Sequence, residues 1–221
     1  MGIFDLPKID GHCHVLDPQR FPYPAEVAYH PQGQEVGTAA YFGHVMDTYA
    51  VRHALLVGPN SGYGTDNRCL LDAIAQGGGR FKGIAVVNAD TDTVALRALQ
   101  AQGIVGIAFN PSFHGLDFYN DIDPLLQRLA DLGMWAQFQV SGDQLVPLLP
   151  RILRVRVRTL IDHAGRPLLA DGPQAPGLQA LAQLADSGLG VIKISGFVKF
   201  SEQGFPFDDA QAHVQRVWQM F

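Results

Sequence analysis

The chain has 221 residues, 47% of them hydrophobic and 17% charged, with a formal net charge of −5 at pH 7. This composition excludes a disordered chain, and the negative balance gives no reason to expect nucleic acid or an anionic membrane surface as a partner. No run approaches the roughly 18 apolar residues of a membrane span and no charged-then-apolar signal segment opens the chain, so the expectation is a cytoplasmic protein with reduced thiols.

Strand and helix periodicities alternate along the chain. Ile9–Val15 reads as the first strand, followed by an irregular stretch, Asp17–Gly37, that holds four prolines and fits a loop over the strand ends. The first helix is expected over Thr38–Ala50, then a strand at His53–Val57 and a helix at Asp66–Ala75 with Asp66 as its cap. Phe81–Val87, Asp92–Ala101, Ile104–Phe109 and Asp121–Leu132 continue as strand, helix, strand, helix. Trp135–Val140, Gln144–Leu153, Thr159–Ile161, Gly177–Ser187, Val191–Ile194 and Asp208–Phe221 complete seven β/α units. No linker or break in composition suggests a second domain, so residues 1–221 read as a single domain. Arg151, Arg154, Arg156 and Arg158 read as a solvated helix end rather than a phosphate track.

Seven parallel units fit an open doubly wound sheet or most of a (β/α)8 barrel. The polar residues favour the barrel, because they follow strand ends throughout: His12, His14, Asn60, Ser61, Asn88, Asn110, Gln139, Asp162, His163 and Ser195. Barrel strands deliver their C-terminal ends to one mouth, whereas an open sheet concentrates its site at one switch point and usually carries a Gly-rich phosphate loop. Gly77-Gly78-Gly79 precedes a strand and is therefore a turn. The eighth strand is missing from the pattern, and such barrels usually take about 250 residues. The expected fold class is thus α/β, a truncated TIM-type barrel. The exposed flanks of its first and seventh strands would invite association, which makes a homo-oligomer possible.

Asp10-Gly11-His12-Cys13-His14 closes the first strand. Alternate side chains of an extended segment share one face, so Asp10, His12 and His14 point together and Cys13 points away as a small apolar residue. Two imidazoles roughly 7 Å apart along a strand can converge on one ion or substrate atom, although two surface histidines in a polar turn have the same spacing. The second informative segment is Ile161-Asp162-His163-Ala164-Gly165-Arg166-Pro167, in which a short strand delivers His163 and the glycine and proline turn the chain away. Taken alone, His163 fits a core histidine satisfied by a carbonyl. With His12 and His14 it makes three imidazoles, the ligand count of a catalytic zinc site with one position open to water.

These motifs resemble the amidohydrolase superfamily, and within it the branch holding 2-pyrone-4,6-dicarboxylate lactonase and related lactone hydrolases. Phe21-Pro22-Tyr23, Gly64-Thr65-Asp66-Asn67, Gly83-Ile84-Ala85-Val86-Val87 and Lys193-Ile194-Ser195-Gly196 extend the resemblance over essentially the whole chain. It implies a hydrolase that opens a lactone of aromatic or sugar catabolism, with His12, His14 and His163 as catalytic residues. It also implies a divalent zinc or manganese ion on the same three histidines in some members, and metal-independent chemistry in others. The family's general base, an aspartate ending the last barrel strand, has no counterpart here. Asp208 and Asp209 begin a helix, so the chain as it stands is expected to turn over little or no substrate.

The resemblance places Arg166 against an anionic substrate group, a role that suits its planar bidentate donors, although Arg166 could equally close its own turn. The family's dicarboxylate enzyme carries a further arginine where this chain has Ala108, which argues for a less anionic, carboxylated lactone as the small-molecule substrate. Ser61, Asn110, His114, Gln139 and Lys199 lie on loops or strand ends that could line the pocket. Lys193 and Ser195 alternate with isoleucines and also fit packing inside the barrel. The alternatives are a metal-dependent decarboxylase of an aromatic or unsaturated acid, and an inactive truncated barrel. Decarboxylases of the superfamily typically place a histidine after the strand that here ends in Ser195-Gly196, which disfavours the first.

Overall fold

The structure, a computed structural model, describes residues 2, 4–60 and 62–221 and divides into two compact units, Met1–Ala108 and Phe109–Phe221. Strand order follows chain order, β1-β2-β3-β4-β5-β6-β7, and helices separate the strands. The chain is therefore of the (β/α)8-barrel type, with seven β/α units among the described residues.

In the first unit β1 (Lys8–Cys13), β2 (Val51–Val57), β3 (Phe81–Ala85) and β4 (Ile104–Phe109, whose last residue opens the second unit) pair in parallel. The register sets Asp10 beside Ala54, Ala54 beside Phe81 and Gly83 beside Ile104. Parallel neighbours need crossovers, and α1 (Ala39–Thr48), α2 (Arg68–Gln76) and α3 (Thr93–Ala101) provide them. Thr38 and Asp92 start α1 and α3 by accepting the amides of Tyr41 at 3.2 Å and Ala95 at 2.8 Å. β3 and β4 are buried almost throughout, the mark of strands covered on both faces. Met46, Leu56, Ile84, Leu96 and Ile107 form the fully buried core.

Asp66 does not cap α2. The helix begins at Arg68, and the Asp66 carboxylate accepts the Arg68 amide and pairs with its guanidinium at 2.7 Å. Asn67 occupies the cap position but exchanges two hydrogen bonds with the backbone of Val86, donating at 2.8 Å and accepting at 3.1 Å. Its amide thereby ties the start of α2 to the end of β3, which is why the strand ladder stops at Ala85 rather than running on to Val87. The Asp17–Gly37 loop contains one short 3-10 turn, Gly33–Glu35. Buried Tyr63 pins it, with its hydroxyl donating to the Phe21 carbonyl at 2.9 Å and accepting the Asp17 amide at 3.2 Å.

In the second unit β5 (Trp135–Phe138), β6 (Thr159–Ile161) and β7 (Gly190–Ile192) are parallel, with Gln137 beside Leu160 and Leu160 beside Val191. A four-residue helix that the sequence pattern did not reveal, α4 (Pro111–His114), follows β4 directly. α5 (Asp123–Asp131), α6 (Leu145–Val155), α7 (Pro176–Asp186) and α8 (Asp208–Met220) complete the unit. α6 buries Leu145, Leu148, Leu149 and Ile152, the three-and-four spacing of an amphipathic helix. Arg151 and Arg154 leave its last turns to pair with Asp123, and Arg158 lies 4.7 Å over the Trp135 ring, so this basic cluster is structural. No helix among the described residues is long and apolar enough to cross a membrane.

Candidate functional site

The first unit contributes the histidines that close β1. Their rings meet edge to face with centroids 5.1 Å apart, closer than the roughly 7 Å two-residue repeat of an extended strand, because the register is irregular between Asp10 and Cys13 and His14 lies beyond the strand. His14 Nδ1 lies 2.7 Å from the Val57 carbonyl at the end of β2. A carbonyl can only accept, so Nδ1 carries the proton and Nε2 carries the lone pair in the neutral ring. That is the orientation of a metal-ligating or proton-accepting imidazole whose other nitrogen is anchored. The His12 amide donates to Asp10 Oδ1 at 2.9 Å, which assigns Asp10 to holding the backbone of the motif. Ser61 lies outside the described residues.

The second unit contributes His163 and an unusual turn. His163, Ala164, Gly165 and Arg166 all have positive φ, at 53°, 53°, 76° and 44°. Three of the four carry a Cβ, and each left-handed residue of that kind costs about 1–2 kcal/mol, so surrounding contacts must hold the turn. The Ala164 amide donates to the Lys193 carbonyl at 2.8 Å and the Gly165 amide to the Asp162 carbonyl at 3.0 Å. His163 Nδ1 is 3.1 Å from Ser195 Oγ. Gly196 backs directly onto the ring: a Cβ there would stand 2.5 Å from His163 Nδ1, and φ is +67°. Only glycine fits both the backbone and the imbedded imidazole.

Beneath the turn is a buried polar triad. Asp162 and Gln137 are 2% and 1% exposed. Lys193 Nζ lies 3.2 Å from Asp162 Oδ1 and donates to Gln137 Oε1 at 2.6 Å, while Gln137 Nε2 donates to Asp162 Oδ2 at 2.9 Å. Each residue sits on or just beyond β5, β6 or β7, so the end of this sheet is knit together by charge. Lys193 thus takes the interior position that its alternation with isoleucines allowed.

Arg166 does not close its own turn. Its Nη1 donates at 2.9 Å to Ser112 Oγ, which also accepts from Gln139 Nε2 at 3.1 Å and donates to Asn110 Oδ1 at 2.7 Å. One hydroxyl therefore gathers Asn110, Gln139 and Arg166 from three successive strand ends. Arg166 Nε is buried with no hydrogen-bond partner, and no carboxylate pairs with the guanidinium among the described residues. Burial pushes its pKa down from the ordinary value.

His114, on α4, stacks on Phe118 with centroids 4.4 Å apart and meets Phe113 edge-on. The ring is surface-exposed on one side, yet desolvation by these neighbours lowers its pKa and favours the neutral form. Lys199 is exposed on the 3-10 turn Phe197–Lys199 and makes no side-chain hydrogen bond or ion pair among the described residues. The structure thus joins Asn110, Gln139 and Arg166 and leaves His114 and Lys199 apart from that group. Asp209 bonds the Ser201 hydroxyl and the Glu202 amide, a local loop closure.

Sequence reasoning missed Ser112, the Gln137–Lys193 half of the triad and His213. Buried His213 on α8 donates from Nε2 to the Ala164 carbonyl at 2.8 Å. A signal existed for it: Ala210, His213 and Val217 share a buried stripe with helical spacing, and a histidine on such a stripe needs a polar partner.

Sequential parallel β/α units whose strand ends carry histidines, a buried aspartate and an arginine define the barrel class that assembles its active sites from strand ends. A family model described as amidohydrolase matches residues 9–221, and the chain belongs to that family. It is 28% identical over 174 residues to a 2-pyrone-4,6-dicarboxylate hydrolase of Comamonas testosteroni, covering 76% of this chain and 56% of that one. It is 26% identical over 205 residues to a 4-sulfomuconolactone hydrolase of Hydrogenophaga intermedia, covering 90% of this chain and 66% of that one. The crystal structure of a probable 2-pyrone-4,6-dicarboxylic acid hydrolase from Acinetobacter baumannii, with citric acid bound, matches with a TM-score of 0.81 at 30% identity, over 98% of this chain and 79% of that one. The chain thus spans 56% and 66% of the lengths of the two named relatives.

Proposed function

We propose that the chain carries the site of a lactone hydrolase, in which His12, His14 and His163 serve the reacting carbonyl and Arg166 takes a substrate carboxylate. The relatives named for lactone and pyrone hydrolysis support the reaction class, and the relative holding citric acid supports an anionic ligand. The observation that carries the substrate reading is the Arg166 guanidinium, part-buried, hydrogen-bonded to neutral Ser112 and paired with no carboxylate among the described residues. A buried cation without a counter-charge is unfavourable until an anion arrives. The other cations nearby cannot serve equally: Lys193 already faces Asp162, and His114 is held towards neutrality. With Ala108 in place of a further arginine, the site is built for one carboxylate rather than two.

Hydrolysis adds a water oxygen to the lactone carbonyl carbon and breaks the ring C–O bond, leaving a hydroxyl and a carboxylic acid, which releases its proton to solvent as a carboxylate. An imidazole of the cluster takes the proton from the water and returns it to the departing ring oxygen. His14, with Nδ1 anchored to Val57, offers Nε2 for such work, and Ser195 and Gly196 hold the His163 ring in one orientation. The donor chemistry of His12, His14 and His163 also fits a divalent zinc or manganese ion, which the three imidazoles would hold. Such an ion supplies a more acidic water and a polarised carbonyl. A decarboxylase reading is disfavoured, because Ser195 stands where a further histidine would be needed.

The test compares a monocarboxylated lactone with its uncharged analogue, by calorimetric binding and by ring opening. Arg166→Gln is expected to weaken binding of the carboxylated lactone roughly 10- to 150-fold, the worth of one charge-assisted hydrogen-bonded contact, and to leave the uncharged analogue unchanged. Equal loss for both lactones, or no binding of either by the parent chain, would refute the assignment.

A further inference from the structure

We infer that His213, on the last helix of the second unit, is a positioning residue that sets the orientation of His163 through the Ala164 carbonyl. The inference rests on the reading of His163 as an active-site histidine. Its basis is the Ala164 peptide, the middle of the left-handed turn His163–Arg166. The amide of Ala164 is taken by the Lys193 carbonyl at 2.8 Å, at the end of β7. Its carbonyl is taken by His213 Nε2, also at 2.8 Å. The two peptide groups that flank the Ala164 Cα are therefore each held, the first by the sheet and the second by α8, and rotation about that Cα is the motion that would swing His163 on one side and Arg166 beyond the other.

The identity of the residue matters. His213 shares a buried stripe with Ala210 and Val217, where an aliphatic side chain would pack at no polar cost. Its Nε2 must carry the proton, because the acceptor is a carbonyl. Burial lowers its pKa, which keeps the ring neutral and the tautomer defined. The Arg166 carbonyl accepts the Gly142 amide at 2.9 Å, so the far end of the turn is tied as well. The ring of His163 is set between Ser195 Oγ and Gly196, and α8 adds a further tie at the Ala164 carbonyl.

The experiment uses the full chain with two variants, His213→Gln, which keeps an N–H donor of similar reach, and His213→Leu, which keeps bulk without a donor. Imidazole and amide NMR resonances report the turn, and turnover of a carboxylated lactone reports function. In His213→Leu the His163 ring and the Ala164–Arg166 amides are expected to shift, with kcat falling by up to about 10²-fold, as for a small misplacement of a catalytic group, and KM changing less than about threefold. His213→Gln is expected to restore the parent resonances and most of kcat. His163 resonances that stay at parent positions in His213→Leu, or that move in His213→Gln, would overturn the inference; if His213→Leu does not fold, the His213→Gln spectrum decides alone. A parent chain that binds the carboxylated lactone no better than its uncharged analogue refutes the functional reading and leaves the resonance comparison standing.

Discussion

Replacing Lys193 by methionine tests whether the buried triad is a working ion pair. Nζ and Oδ1 of Asp162 are 3.2 Å apart, with side chains 9% and 3% exposed. At that separation and an effective dielectric of about 20 the attraction is about 5 kcal/mol. Removing one member of such a pair typically costs 3–5 kcal/mol, because the other charge stays buried without it. Gln137 Oε1 also loses the donor that now stands at 2.6 Å. For a chain of 221 residues each kcal/mol moves the thermal midpoint by about 2–4 °C, so Lys193→Met is expected to lower it by roughly 6–20 °C.

The companion variant removes both charges. In Asp162→Asn/Lys193→Met the Gln137 amide keeps an acceptor and no bare charge remains, so stability is expected to return to within about 1–2 kcal/mol of the parent. Guanidinium unfolding of the parent, both single variants and the double variant at pH 7 closes the cycle. A Lys193→Met loss under about 1 kcal/mol, or a double variant as unstable as the sum of the singles, would refute the reading of Asp162 as a carboxylate whose charge Lys193 balances.

His213 gives a pH dependence of definite sign. Burial depresses its folded-state pKa below the ordinary value near 6.5. Below that pH the unfolded chain therefore binds a proton that the folded one refuses, and stability falls on acidification by up to about 1.4 kcal/mol per pH unit. Urea midpoints should show this slope in the parent and its loss in His213→Gln; a parent–variant difference that is constant from pH 7 to about pH 5 would contradict it. Gly196→Ala combines a left-handed residue with a Cβ 2.5 Å from His163 Nδ1, so it should cost about 1–3 kcal/mol and shift the His163 ring resonances; unchanged resonances would show that the glycine does not hold the ring.

The strands and helices of the fold were legible because a parallel β/α chain writes each element as its own periodic run. Ile104–Phe109 and Thr159–Ile161 fall where the pattern put them, and the other strands differ only at their ends. The first strand reaches Cys13 rather than Val15, so His14 stands just beyond it, and Asn67 replaces the ladder beyond β3. What periodicity cannot register is a segment too short to repeat. α4 has four residues and no complete stripe, and its Ser112 is an ordinary small polar residue until three strand ends bring Asn110, Gln139 and Arg166 to its hydroxyl.

The same limit explains the site. His12, His14 and His163 could be proposed as site residues from sequence because imidazoles after apolar strands are chemically conspicuous. Their supports could not, since support is a property of register. Gln137 reaches Asp162 because β5 and β6 pair Phe138 with Ile161, and Lys193 joins them because β6 and β7 pair Ile161 with Ile192. A shift of one residue in either pairing would turn the glutamine or the lysine to the opposite face of the sheet, and the aspartate would lose its partners. The left-handed turn is harder still to foresee, because His163, Ala164 and Arg166 are not residues that favour positive φ. They adopt it because Lys193, Ser195 and His213 bind the turn from β7 and α8. Thirty residues or more separate those groups from His163 in the chain, so the local sequence specifies where the imidazole must be delivered, and distant residues specify how it is held.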